Sequence, residues 1–477
     1  MRSSSSRALL FVAAVAVAAP LGVEPPRPDE EEACFPRAGA PPTPSVDRRG
    51  GAAPHYYHPL RQLMRRLGAG GAPLEWGCLE GAADAQGACA CARPALTHFA
   101  AALDAAARKE GQVRVVVFGN SLIASDGVTQ VVRARLAGRF GDAGRGFLLA
   151  DRLASYGPRD RTAQRAHGWR VETTADLERP SAPLGLAGVQ HVSEGPASSR
   201  FALDGAAQAT VFWLAAPRMP PLFWRVDRGR WAKLPASGAG PQATALKLPA
   251  GARTLGLRAD DADAVVQGVV LEGTSPGVVV DVFGVPSADA NLWLETDEAL
   301  FSEQLAARAP DLVMVMLGGN EAKRLAWGSA TRDTTFEDLR AFLARARAAA
   351  PQASCLVVGP IDSVVGGAAP PGVEPPEEPF RERPQLQAVI SIERKVALAE
   401  GCAFLDLYAA MGGKGSLERL HEAGYLHEDL THPRQKGLDV LGQLVADALF
   451  DGWAATPAEA ALAPAPRARE EMATLPP

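Results

Sequence analysis

Residues 113–118 read VRVVVF and run straight into Gly119-Asn120-Ser121, with a helical pattern over 127–140 close behind. A continuous apolar run this short, followed by a helix, reads as a strand buried on both faces rather than half of a solvated hairpin. In the helical segment Val128, Val131, Val132, Leu136 and Phe140 share one face, while Arg133, Arg135 and Arg139 lie off it. The same alternation continues outward. VVVDVF at 278–283, LVMVML at 312–317, and the stretches 356–358 and 404–407 read as short apolar strands. Helical stretches fall near 95–110, 297–309, 335–350 and 384–400. Buried strands separated by helices predict an α/β fold, a three-layer doubly wound parallel sheet.

Residues 150–275 break that rhythm. Short alternating runs at 210–214, 222–226, 231–234, 245–248 and 254–258 replace helical periodicity, and Asp227-Arg228-Gly229 reads as a hairpin turn. An inserted antiparallel β-sandwich is expected here, leaving 55–149 and 276–452 as the two parts of the α/β domain. Trp213, Trp224 and Trp231 of the insert read as core residues ahead of a sugar-stacking platform.

The ends read differently. Arg2 and Arg7, the apolar run 8–17 and the small residues at 16–19 form a secretory signal over 1–19. The run is short for a bilayer span, so an exported protein, periplasmic or extracellular, is expected. Retention by an uncleaved N-terminal anchor is the alternative. No later run approaches ~18 apolar residues, so no integral span is expected in the mature chain. Residues 20–54 have linker composition, and 453–477 read as a disordered tail. With 49 Lys+Arg against 54 Asp+Glu in 477 residues, the balance gives no support to a nucleic-acid partner. Cys78, Cys89 and Cys91 lie in an N-terminal extension over 55–94, where Cys34 could complete two disulfides. Cys355 and Cys402 are either paired or buried. No His pattern accompanies the cysteines, so no metal site is expected.

Chemistry-bearing residues collect at strand ends. Ser121 follows the first strand. Gly318-Gly319-Asn320-Glu321 follows LVMVML, and Asp362 ends another strand. Asp429-Leu430-Thr431-His432 precedes the last amphipathic helix. A spacing of three lets the Asp429 carboxylate reach the His432 imidazole, as an acyl-transfer triad requires. Each block alone also reads as an ordinary turn or helix cap. His427 and Asp406 are less well placed than His432 and Asp429. The Pro-rich loop 366–379 is positioned to rim such a site.

Taken together and in this order, the blocks resemble the SGNH branch of the GDSL hydrolases. That family has a Ser after the first strand, a Gly after the second, Gly-x-Asn after the third and Asp-x-x-His near the C-terminus. The resemblance covers 95–150 and 276–452. The runs FGNSLIASDGVTQVVRARLAGRFGDAGRGF and APDLVMVMLGGNEA are similar to blocks of bacterial peptidoglycan O-acetylesterase-like members, which carry an inserted β-sandwich of carbohydrate-binding type. The resemblance implies Ser121, Asp429 and His432 as catalytic residues. It places the oxyanion hole at Ser121, Ser287 and Asn320, with Gly284 as fallback donor. Asp362 and Glu321 are candidate substrate contacts, and no metal or cofactor is implied.

Two blocks depart from the family pattern. Asn120 stands where Asp is usual, and Gly284-Val285-Pro286-Ser287-Ala288 stands where Gly-x-Asn-Gly-Ala is usual. The implied activity is an exported serine esterase taking an acylated glycan or other small ester, with O-acetyl groups of a cell-envelope glycan such as peptidoglycan as substrate. An O-acetyltransferase, a lipase or thioesterase of the same family, and a non-catalytic glycan-binding protein are the alternatives.

Overall fold

The computed structural model describes residues 58–83, 89–153, 163–176, 179–367 and 376–456. The signal, the linker, Cys34 and residues 457–477 lie outside them. Five strands form a parallel sheet in the spatial order Gly277–Gly284, Gln112–Gly119, Leu312–Met316, Ser354–Val358 and Ala403–Leu405. Counted along the chain this is 2-1-3-4-5, a doubly wound order whose connections reverse beside the first strand. The expected strands and helices of this part all form, within a few residues of their expected bounds.

Side chains of the first strand alternate between two cores, one on each side of the sheet. Val113, Val115 and Val117 pack with Phe99, Leu136 and Leu441, from the helices Thr97–Ala107, Thr129–Phe140 and Gln435–Ala455. Val116 and Phe118 pack on the other face with Phe301, Phe342 and Val389, from Glu298–Arg308, Arg332–Ala349 and Leu386–Ala399. Phe118 sits at the middle of a ring cluster, 5.2–5.5 Å from Trp293, Phe283, Phe342 and Phe301. The last helix runs on to Ala455, past the expected start of the tail. Trp453 is buried there and its indole N–H donates to Asp104 at 2.9 Å.

The inserted unit is antiparallel as expected, and its strands are hydrogen-bonded throughout. Nine strands form one continuous network in the order Gly240–Lys247, Gln208–Ala215, Val265–Glu272, Val189–Ala202, Thr254–Ala259, Leu222–Val226, Ala232–Lys233. Gly146–Leu148 is added on Val265–Glu272, and Ala163–Thr173 on Val189–Ala202. The joint is the 14-residue strand Val189–Ala202. Its start pairs with Val265 and Val266, and its end pairs with Thr254–Ala259, so the ladder never breaks. Residues from both ends, among them Val211, Trp213, Leu246, Phe201, Leu255 and Leu257, share one apolar core.

A buried ionic network ties the two units. Arg308 donates to Asp281 at 2.6 Å and to Glu272 at 2.8 Å, and Arg114 donates to Glu272 at 3.0 Å. Asp281 also accepts from the Phe147 backbone N–H at 2.8 Å. Burial works against ionisation of Glu272, but Arg308 and Arg114 more than offset it and bring its pKa down to about 2. Disulfides join Cys78 to Cys91 and Cys355 to Cys402. The second resolves the pair left open by the sequence.

Candidate active site

The parallel register brings the strand ends level. Gly119 stands opposite Gly284 on one side and Met316 on the other. The chain therefore leaves all three strands at the carboxyl edge, where open α/β sheets present their ligand crevice. Ser121 opens the short helix Ser121–Ala124, and Asn120 caps it by accepting from the Leu122 N–H at 3.1 Å. Asn here does what an Asp cap would do, so the departure from the usual Gly-Asp-Ser leaves the local turn intact. Gly284 has a packing reason to lack a side chain, since a Cβ there would sit 2.1 Å from the Ala124 backbone nitrogen.

Ser121 Oγ lies 2.9 Å from His432 Nε2, and His432 Nδ1 lies 2.7 Å from Asp429 Oδ2. The other Asp429 oxygen accepts from the backbone N–H groups of Thr431 and His432, both at 3.0 Å. Burial raises the Asp429 carboxyl, but the bonds from the His432 ring and from these two amides outweigh it and hold the group below the usual carboxylate range. With Asp429 ionised, the proton of the neutral imidazole belongs on Nδ1, leaving Nε2 free to accept from Ser121. His427, by contrast, reaches His432 only through the backbone, its N–H donating to the His432 carbonyl at 2.9 Å. Asp406 caps the helix Leu407–Ala410.

Asn320 donates its side-chain amide to the Ala288 carbonyl at 2.8 Å, tying the loop after Gly284 to the loop after Met316. Its second amide hydrogen remains to donate elsewhere. Ser287, at the expected second-glycine position, is exposed and has φ +64°, in the left-handed region that favours glycine. The turn thus keeps a glycine's conformation without a glycine.

The two candidate substrate contacts are both buried. Glu321 is buried, and both its oxygens face backbone N–H groups, Gly318 at 2.8 Å and Ala290 at 3.3 Å. Burial first, and then the Asp289 charge, push its pKa up to about 8. Glu393 stands behind it. A Cβ on Gly318, which has φ +88°, would meet the Glu393 carboxylate at 2.7 Å. Burial, then Glu321 and Asp406, raise Glu393 well above the ordinary range. Asp362 is 1 % exposed and accepts from the Leu417 N–H at 3.1 Å in the first turn of Ser416–Glu422. Each acid at a strand end serves the backbone of a neighbouring turn.

Sequence reasoning missed the residues that brace the His432 loop. A Cβ on Gly367 would come within 2.6 Å of both the Leu430 carbonyl and Thr431 Oγ1. Arg383 holds that segment, donating to the Ser363 hydroxyl at 3.2 Å, the Val364 carbonyl at 2.7 Å and the Gly367 carbonyl. Only the Gly366-Gly367 pair in a rim loop hinted at such a contact. Lys323, one helical turn after Asn320, also went unnoticed. Burial and Arg383 lower its pKa to about 8, against the opposing pull of Asp429.

A serine hydroxyl, an imidazole and a carboxylate hydrogen-bonded in series at the carboxyl edge of a doubly wound sheet have the geometry that acyl transfer requires. The chain is similar to the GDSL-like lipase/acylhydrolase family, whose model matches residues 250–440. A solved peptidoglycan O-acetylesterase shares 23 % identity over 75 % of this chain and 96 % of its own, with a TM-score of 0.61, a likeness of fold. Looser similarity extends to a salicylyl-acyltransferase from a tetracycline biosynthetic pathway (14 % identity, 61 % and 93 % coverage, TM-score 0.29). It extends also to a carbohydrate esterase family 3 protein from Talaromyces cellulolyticus (18 %, 38 % and 73 %, 0.27). No curated protein sequence matches the chain.

Proposed function

We propose that the protein is an exported serine esterase that removes O-acetyl groups from a cell-envelope glycan, peptidoglycan being the first candidate. The observation that carries the reading is the unbroken relay from Asp429 through His432 to Ser121, at 2.7 and 2.9 Å. His432 takes the Ser121 proton as Oγ attacks the ester carbonyl. The Ser121 N–H, the backbone of the Gly284–Ser287 turn and the free Asn320 amide hydrogen stabilise the oxyanion. His432 then protonates the departing sugar oxygen. Water, deprotonated by the same His, releases acetate and restores Ser121. The peptidoglycan O-acetylesterase fold supports the glycan reading. The two disulfides suit an oxidising compartment outside the cytoplasm.

Acetate release from O-acetylated peptidoglycan and from p-nitrophenyl acetate tests the proposal. Ser121→Ala is expected to lower kcat by roughly 10⁴-fold or more. Equal rates in variant and wild type, or no release by folded wild type, would overturn it.

A further inference from the structure

We propose that the outer face of the antiparallel sheet binds a carboxylate-bearing polysaccharide through a row of arginines. This concerns the inserted unit alone and does not rest on ester hydrolysis. In the strand Thr254–Ala259, Leu255, Leu257 and Ala259 point into the core, fully buried, so Gly256 and Arg258 point outward. Gly256 stands opposite Arg225 on one neighbouring strand and Arg200 on the other, and Arg200 stands opposite Arg165. Directly opposed residues share a face. The row Arg225, Gly256, Arg200, Arg165 therefore crosses four strands, about 14 Å at roughly 4.8 Å per strand.

Among the described residues no carboxylate pairs with Arg165, Arg200 or Arg225, whereas Arg258 has Asp260 at 2.7 Å. Like charges placed directly opposite each other weaken a sheet, and this chain is acidic overall, at −5. The sheet's own stability thus gives no reason for the row. Beyond Arg200 the face opens into a cavity of about 710 Å³ that Arg228 and Arg253 also line. Its two acids are engaged. Asp204 bonds Arg145 at 2.7 Å, and Asp227 accepts from the Thr254 N–H at 2.9 Å.

Trp231 orders the Arg225 end of the row. Its ring lies across the gap at Gly256, where a Cβ would come within 3.1 Å. Arg225 and Arg258 lie over the same ring, at 4.4 and 4.7 Å from its centre. The ring that the sequence offered as a sugar platform is taken up in positioning guanidiniums. Single-stranded nucleic acid needs open aromatic platforms, whereas guanidiniums lie over the Trp231 and Phe223 rings of this face. Ordered planar forks instead match carboxylates, which they bind in pairs of parallel hydrogen bonds.

The full chain is titrated with polygalacturonate, with neutral dextran and with a single-stranded oligodeoxynucleotide, each at low and high salt. The expected result is binding of polygalacturonate that weakens with salt and no binding of dextran. Replacing Arg165, Arg200 and Arg225 together by Ser should weaken binding by roughly tenfold or more, and replacing them by Lys should weaken it less. Melting temperature reports folding. Should the triple Ser variant melt early, Arg200→Ser alone supplies the test, with a partial loss expected. The proposal is overturned by unchanged affinity in a folded Ser variant, by equal retention on dextran, or by tighter binding to the oligonucleotide.

Discussion

The protein buries ionisable groups in two places, and the two are built on opposite principles. Where the antiparallel unit meets the parallel sheet, two guanidiniums and two carboxylates alternate, Arg114, Glu272, Arg308 and Asp281. Behind the loops that carry Asn320 and Ser287, Glu321 and Glu393 are buried with no cation paired to either among the described residues, and Asp289, whose charge acts on Glu321, already pairs with Arg324 at 2.9 Å. In the first place charge is neutralised by opposite charge, and Glu272 ionises more readily than it would in water. In the second no opposite charge stands by, and burial favours the protonated form of each acid. Glu393 Oε2 finds no hydrogen-bond partner among the described residues. One cluster resists acid only down to a limit, and the other resists alkali only up to one.

The largest effect should come from breaking the balanced cluster. Arg308→Met leaves Asp281 and Glu272 short of a cation in a buried setting, and should cost about 3–5 kcal/mol in urea unfolding. A loss under ~1 kcal/mol would mean that Arg114 alone suffices.

Next is acid. A carboxyl whose folded pKa is depressed contributes fully above its unfolded value, about 4.5 for Glu272. The contribution is lost as pH falls through the folded value, about 2. Unfolding free energy should drop by roughly 3 kcal/mol between pH 5 and 2 from this group, and the drop should shrink in Glu272→Gln.

The acid pair should show the reverse slope. A raised carboxyl contributes fully below about pH 4.5 and loses that contribution as pH rises, for Glu321 through about 8. Glu393→Gln removes one of the two charges, so its melting temperature should fall less than the wild type's between pH 6 and 9. Parallel curves would show that the pair is not the source of alkaline loss. The smallest effect is expected at Ser287→Gly, which relieves a left-handed conformation beside the same cluster and should add roughly 0.5–1 kcal/mol to stability.

How much of this was legible depends on how far each fact reaches along the chain. VRVVVF and LVMVML announce their strands because burial on both faces leaves no polar position to interrupt them. Asp429 and His432 are three residues apart, so their pairing is a local property. The long strands 163–173 and 189–202 were invisible because they bear the marks of turns. The second contains Gly195-Pro196 and three serines, tolerated because its outer face meets solvent and an adjoining strand covers its edge. The buried network joins residues up to 194 positions apart, Arg114 to Arg308, and no periodicity connects them. Glu321 and Asp362 were ambiguous for a different reason. An acid at a strand end suits either a ligand or a neighbouring N–H, and only the fold shows which of them is within reach.

The inserted unit leaves and rejoins the parallel sheet at nearly one point. The Val278 N–H donates to the Gly141 carbonyl at 2.8 Å, and Ala143 N–H returns a bond to Val278 at 3.2 Å. Gly141 packs so closely on Pro276 that a Cβ would sit 2.8 Å from its carbonyl oxygen. Some 130 residues thus hang from a seam barely wider than a hairpin, with Ser121 on one side of it and Asn320, Asp429 and His432 on the other. Recombination at that seam can exchange the inserted unit for another, provided the incoming unit again covers Phe283 and Gln304, which Phe147 and Leu186 now meet. The molecular record of such an exchange would be a matching change at Arg308, the residue that holds both units at once.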